Sequence, residues 1–198
     1  MPSKTRYASS VTQPSVEFEY YDTSTLIFHW LTAILVLVLF GTAMVWNYVT
    51  PHDHFWRPVL EATHVSLGIW FAVVILLRLI WRFTGMRHLP AEVGISGTLS
   101  RIMYWLLYIL LVAQSVLGFV LRWRQGEDFT FFGWFTMPAI LGPDRDMAHT
   151  FEELHNWVAW AIIILSAGHA AAALVHHYVL EDLTLRRMSF RRTVIPRR

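Results

Sequence analysis

Four stretches of this 198-residue chain are apolar over lengths that leave few choices of fold. They run about Thr25–Val49, Val59–Phe83, Ser100–Trp123 and Thr150–Leu180. The hydrocarbon core of a bilayer is ~30 Å thick and is crossed by roughly 20 helical residues, so each stretch is long enough to span it. Within hydrocarbon every backbone polar group must be satisfied by the protein itself, which only helices and closed barrels achieve. A barrel would need alternating strands of about ten residues, and these runs are continuous. The sequence therefore predicts an all-α membrane protein, a bundle of four transmembrane helices. A mean hydropathy of +0.42 agrees with that reading.

Nothing outside the four segments could bury a second core, so one domain is expected, residues 24–185, flanked by an N-terminal tail (1–23) and a basic C-terminal tail (186–198). The polar stretch ahead of the first segment reads as a tail before a retained helix, not as part of a cleavable signal. An even number of spans returns both termini to one face. Of the sixteen Lys and Arg residues, twelve fall on that N-terminal face. The other four, Arg57, Arg122, Arg124 and Arg145, fall on the opposite face. The bias makes the N-terminal face cytoplasmic. The pI of 9.2 then reflects topology and contact with anionic membrane lipid, with no nucleic acid as partner.

Cysteine is absent. That excludes disulfides, iron–sulfur clusters, thiol redox chemistry and covalent haem attachment. The connections are short except for Arg124–His149 on the opposite face, where Phe129, Phe131, Phe132, Trp134 and Phe135 suggest an interfacial lid.

Histidine inside a membrane helix is costly and is a functional hypothesis by default. Four of the ten lie within the apolar segments at paired depths. His29 is near the N-terminal face and His64 near the opposite face. The fourth segment starts on the opposite face, which puts His155 there. His169 follows fourteen residues later, a rise of ~21 Å and ~3.9 turns, on nearly the same side of the helix. The pairs are thus His64 with His155 and His29 with His169. Two imidazoles from different helices across a bundle core hold a b-type haem without cysteine. Two non-covalent haems b between the helices, with these four residues as the metal ligands, is the expected cofactor set. A single zinc needs its ligands in one tetrahedron, and these histidines fall in two layers ~20 Å apart. Gly41, Gly68, Gly118 and Gly168 offer flat places for a porphyrin, but small residues are equally the ordinary glue of membrane helix packing. Arg78, fourteen residues after His64, shares its face at the level of the second pair. It reads either as a partner of a haem propionate or as a snorkelling cation beside Arg82.

At this point the residues carry a family resemblance. The run His155-Asn-Trp, the run Gly168-His-Ala-Ala-Ala-Ala-Leu-Val-His-His-Tyr178, Phe28-His-Trp30, His64-Val-Ser-Leu-Gly68 with Arg78, and Phe135-Thr-Met-Pro138 together resemble the bacterial cytochrome b-561 family. Within it they are most similar to the superoxide oxidase type, over roughly Thr25 to Met188. The resemblance implies an inner-membrane cytochrome with two b haems on these four histidines. It also implies an activity, passing electrons from periplasmic superoxide to ubiquinone, with the quinone as electron acceptor. Arg122 and Arg124 are then the residues expected to attract the anionic substrate, although eight acids share their face. His176, about two turns beyond His169, is expected to contact the quinone, against a plainer reading as part of an interfacial His–His–Tyr belt. Two other classes stay in view. One is a haem subunit passing electrons between a partner redox subunit, a hydrogenase or dehydrogenase, and the quinone pool. The other is a haem-free structural or transport bundle.

Overall fold

The computed structural model describes residues 20–85, 94–126, 128–182 and 184–190. Most of the N-terminal tail, residues 191–198 of the basic tail, and Arg87 lie outside the described residues.

Four helices, long and apolar enough to cross a membrane, make up most of the described chain. Helix α1 (Thr23–Met44) starts where Asp22 accepts the backbone N–H of Thr25 at 2.9 Å, a side-chain N-cap. The same carboxylate accepts Trp81 Nε1 at 3.0 Å, tying α1 to the end of α2. Helix α1 runs on into one wider π-type turn, Val45–Val49, whose end is held by the Arg57 guanidinium on the Trp46 carbonyl. Helix α2 (Trp56–Thr84) and helix α3 (Ile95–Gln125) follow. Gly126 closes α3 in a left-handed conformation (φ +74°), with Pro143 so close that a Cβ there would sit 2.7 Å from it.

Helix α4 spans Arg145–Tyr178, starting ahead of the Thr150 expected from hydropathy. The reason is capping: Asp144 accepts the Met147 N–H at 3.1 Å and carries a polar first turn that hydropathy reads as loop. Helix α3 likewise begins before Ser100, just after Gly94.

The aromatic segment between α3 and α4 folds into a small antiparallel hairpin of β1 (Thr130–Phe131) and β2 (Phe135–Thr136). Ser66 of α2 pins it, donating to the Thr130 carbonyl and accepting the Phe132 N–H. Phe129 is buried against Phe119, so the segment is fastened over the opposite-face end of the bundle.

The helices pack as two pairs, α1 along α2 and α3 along α4, while α1 and α4 touch little. All four meet at one waist formed by Leu35, Phe71, Val74, Ile75, Leu111 and Ile162. Large apolar side chains such as Leu37, Ile109 and Ile164 point outward and are mostly exposed. In water such a surface would be a severe liability; against lipid it is the expected one. The chain is a multi-pass membrane protein. After α4 the chain turns back through a short helix α5 (Thr184–Arg187), and Trp30 Nε1 of α1 donates to the Met188 carbonyl at 3.1 Å.

Candidate functional site

The waist separates two layers of paired histidines. On the opposite-face side, His64 of α2 and His155 of α4 face each other with ring centroids 6.4 Å apart and planes crossed at 73°. Toward the N-terminal face, His29 of α1 and His169 of α4 are again 6.4 Å apart, crossed at 65°. Each helix pair contributes one ring to each layer, because fourteen residues bring α4 back to the same side.

The spacing can be compared with what a metal ion requires. Imidazole–metal bonds run about 2 Å, and a ring centroid lies roughly 1 Å behind its nitrogen. Two rings on opposite sides of one ion therefore have centroids about 6 Å apart, close to the distance found at both layers. The ring of His64 is fixed for ligation. Its Nδ1 lies 3.0 Å from the Leu39 carbonyl and 3.1 Å from the Thr42 hydroxyl, which itself donates to Leu39. The carbonyl can only accept, so Nδ1 carries the proton and Nε2 keeps its lone pair. The His155 ring is set against α3, its Nδ1 buried on the Gly118 side of the ring.

Around the His64/His155 pair lies a cavity of about 450 Å³. Gly68 and Gly118 line it on two sides, and Trp46 covers His64 at 5.0 Å between rings. A Cβ built on Gly68 would meet nothing within 4 Å, and the same holds for Gly41 and Gly168. These three glycines are therefore not helix-packing glue; they border open space. Gly118 differs, since a Cβ there would stand 3.3 Å from His155 Cε1. It makes room for the ligand ring itself. The second layer is more open: His169 and Gly168 are exposed beside the gap between α4 and α1. The donor set and the flat, empty approach fit a bis-imidazole porphyrin at both layers.

The charged residues singled out by sequence fall as follows. Arg78 sits at the His29/His169 layer, its guanidinium 3.3 Å from His29 Nδ1 and 5.1 Å above the Tyr108 ring. Arg82, one turn on, stacks over Tyr104. Arg122 lines the cavity of the first layer and is paired with Glu61 at 2.7 Å. Arg124 does not line it; its guanidinium donates to the Gly142 carbonyl. His176 sits on α4 beyond His169, its Nδ1 2.5 Å from Asp182 Oδ2.

Sequence reasoning missed Leu39 and Thr42 as the support of His64, because a carbonyl on a neighbouring helix leaves no mark in the pattern. Glu61 could have been found. It lies three residues before His64, hence on the same helix face, and carboxylates are rare in such segments. Asp182 lay in view, six residues after His176, but nothing marked the chain reversal that joins them.

The comparisons with known proteins point to one family. The family model described as prokaryotic cytochrome b561 matches residues 20–191. Cytochrome b561 homolog 2 of Escherichia coli K12 is 31% identical over 172 residues, covering 86% of this chain and 91% of its own. Cytochrome b561 homolog 1 of the same organism is 30% identical, covering 83% of this chain and 93% of its own. A Yersinia pestis protein named as a probable superoxide oxidase, CybB, is 28% identical, covering 81% and 90%. The family consists of membrane electron carriers that bind b-type haem, and the four-helix, paired-histidine arrangement is the one such a carrier needs. This chain belongs to the prokaryotic cytochrome b561 family.

Proposed function

We propose that this cytochrome takes single electrons from superoxide at the opposite face and delivers them to ubiquinone at the N-terminal face, using two b haems. The observation that carries the reading is the pair of equally spaced histidine layers, 6.4 Å between rings in each, one toward either face. His64 with His155, and His29 with His169, would hold the haems. A haem held by those residues would supply one-electron redox chemistry, and holding it through two histidines suits outer-sphere transfer. The protein's own part is to hold the ligands, shape access and supply charge. Leu39 and Thr42 hold His64 in the tautomer that ligates. The hairpin over Ser66 covers the opposite-face end.

Superoxide is supported by two features, the likeness to the Yersinia protein's named activity and a cation on the cavity wall. Arg122 would draw the anion toward the His64/His155 layer, and the Glu61 carboxylate sets how much of that charge the anion meets. Arg124, turned to the Gly142 carbonyl, contributes to the field at longer range. Arg78, at the second layer, would release His29 Nδ1 and pair with a propionate, freeing that nitrogen to carry a proton. At the N-terminal end His176 would bond a quinone carbonyl. The excess of basic residues on that face supports a cytoplasmic placement for it, with the protein in the inner membrane.

The test is stopped-flow haem absorbance of the purified, loaded protein mixed with superoxide, with and without a ubiquinone. Reduction approaching ~10⁸ M⁻¹s⁻¹, with reoxidation only when quinone is present, is the expected result. Sluggish reduction in a fully loaded sample would refute superoxide as donor and point to a protein donor instead.

A further inference from the structure

We infer that Asp182 is a positioning residue for quinone reduction: its carboxylate holds His176 by Nδ1 so that Nε2 presents a proton to a quinone oxygen. The inference rests on the quinone reading above and gives it a proton source.

Three hydrogen bonds and a left-handed turn build the pair. Asp182 Oδ2 is 2.5 Å from His176 Nδ1, which fixes the ring through one nitrogen. Among the described residues the other, Nε2, has no hydrogen-bond partner. The second carboxylate oxygen, Oδ1, accepts the Thr184 N–H at 2.9 Å, and the Asp182 N–H returns to the His176 carbonyl at 3.0 Å. The carboxylate is thus locked from both ends and cannot drift from the ring. The turn that brings it back is strained: Glu181 has φ +53°, a left-handed conformation that a residue with a Cβ seldom adopts. A relaxed helix end would carry Asp182 away from His176.

The position matches the chemistry. His176 lies seven residues past His169, a rise of ~10 Å on the same side of α4. The segment after α5 is tied to Trp30, whose ring packs against His29 at 5.4 Å. The pair and the His29/His169 layer therefore share one end of the molecule. Hydrogen bonds from His176 and Thr184 outweigh the opposing effect of burial and leave the Asp182 carboxyl below its ordinary range, so it stays ionised beside the ring. A carboxylate behind a histidine fixes the orientation of its ring.

The reaction balances. Two superoxide anions each give up one electron and leave as dioxygen. The quinone takes the two electrons and two protons to become the quinol, one proton from His176 Nε2 and one from water at the N-terminal face. His176 is reprotonated from the same water.

Asp182→Asn separates this role from a structural one, because Asn has the same shape and its one carbonyl oxygen can still cap the Thr184 N–H, while the amide nitrogen in place of Oδ2 carries no charge and cannot accept from His176 Nδ1. The loaded protein is reduced with dithionite and mixed with ubiquinone-1, and haem reoxidation is followed over a range of quinone concentrations. Asp182→Asn is expected to slow reoxidation at saturating quinone by about tenfold or more. Half-saturating quinone and haem content should stay as in the wild type. Asp182→Glu should recover most of the rate. His176→Gln should lose as much, with no further loss in the double variant. Wild-type reoxidation in Asp182→Asn, or a loss seen only in half-saturation, overturns the inference while leaving the quinone reading intact. No reoxidation of the wild type by ubiquinone-1 overturns both.

Discussion

Gly68 gives the sharpest test that a flat group occupies the first layer. In a helix interior, glycine is less favourable than alanine by ~1 kcal/mol and leucine is nearly as good as alanine. A Cβ at position 68 meets nothing within 4 Å, and the cavity of about 450 Å³ that Gly68 lines is larger than the rest of a leucine side chain. If the space beside it held only lipid or detergent, the change would be neutral to stabilising, and haem content would not move. If a porphyrin lies against Gly68, the leucine side chain occupies its place in the 450 Å³ cavity beside His64. The two effects then have opposite sign. The haem-free protein should gain up to about 1 kcal/mol, a rise of roughly 2–4 °C in midpoint for a chain this size. Haem per chain should fall from two to about one. Thermal unfolding in detergent reads the first and pyridine-haemochrome absorbance the second. A Gly68→Leu protein that keeps both haems would refute the placement.

The remaining predictions concern the ligands, the mouth of the cavity and acid stability. Replacing His64 or His155 by Ala should cost one haem and leave the other, and replacing His29 or His169 should cost the complementary one. Redox titration of each variant should find a single, different midpoint. Arg122→Gln should slow reduction by superoxide about tenfold at low salt and Glu61→Gln should speed it, the two rates converging as salt screens the field. Equal salt dependence in all three proteins would refute steering. Asp182 has its carboxyl held below the ordinary value of 3.8, so its contribution to stability is complete above that value. That contribution is lost as pH falls through the lower folded-state value. Asp182→Asn should therefore shrink the drop in midpoint between pH 5 and pH 3, and an unchanged drop would refute the pairing.

The parts of this molecule that could be read from sequence are those governed by helix rise. Depth along a span is a matter of counting, so His155 and His169 could be set in two different layers, and His64 and His29 matched to them, before any packing was known. Azimuth between helices cannot be counted. That is why the glycines were ambiguous until Gly68 and Gly168 were seen to border space, with Gly118 alone touching His155. It is also why Arg78 was placed at the right depth without its contacts on His29 and Tyr108. Helix starts were missed where capping overrides hydropathy, as at Asp144. The His176–Asp182 pair depends on a left-handed residue at Glu181, which has no signature in the local pattern. Its partner could have been suspected only by asking what a carboxylate was doing just past the end of a membrane helix.

The waist has a consequence for the membrane as a whole. Its members, Leu35, Phe71, Val74, Ile75, Leu111 and Ile162, are all apolar, and they fill the middle of the bundle between the two histidine layers. Such packing carries no chain of hydroxyls or carboxylates along which protons could follow. In the function proposed above, an electron would cross it alone, and the protons that complete a quinol would come from the face where it arrives. Each such transfer would separate charge across the bilayer instead of moving a neutral hydrogen atom. A full crossing is worth ~2.3 kcal/mol per 100 mV, so the voltage of the membrane becomes a reactant, and 100 mV would shift the equilibrium of that crossing by some tens of times.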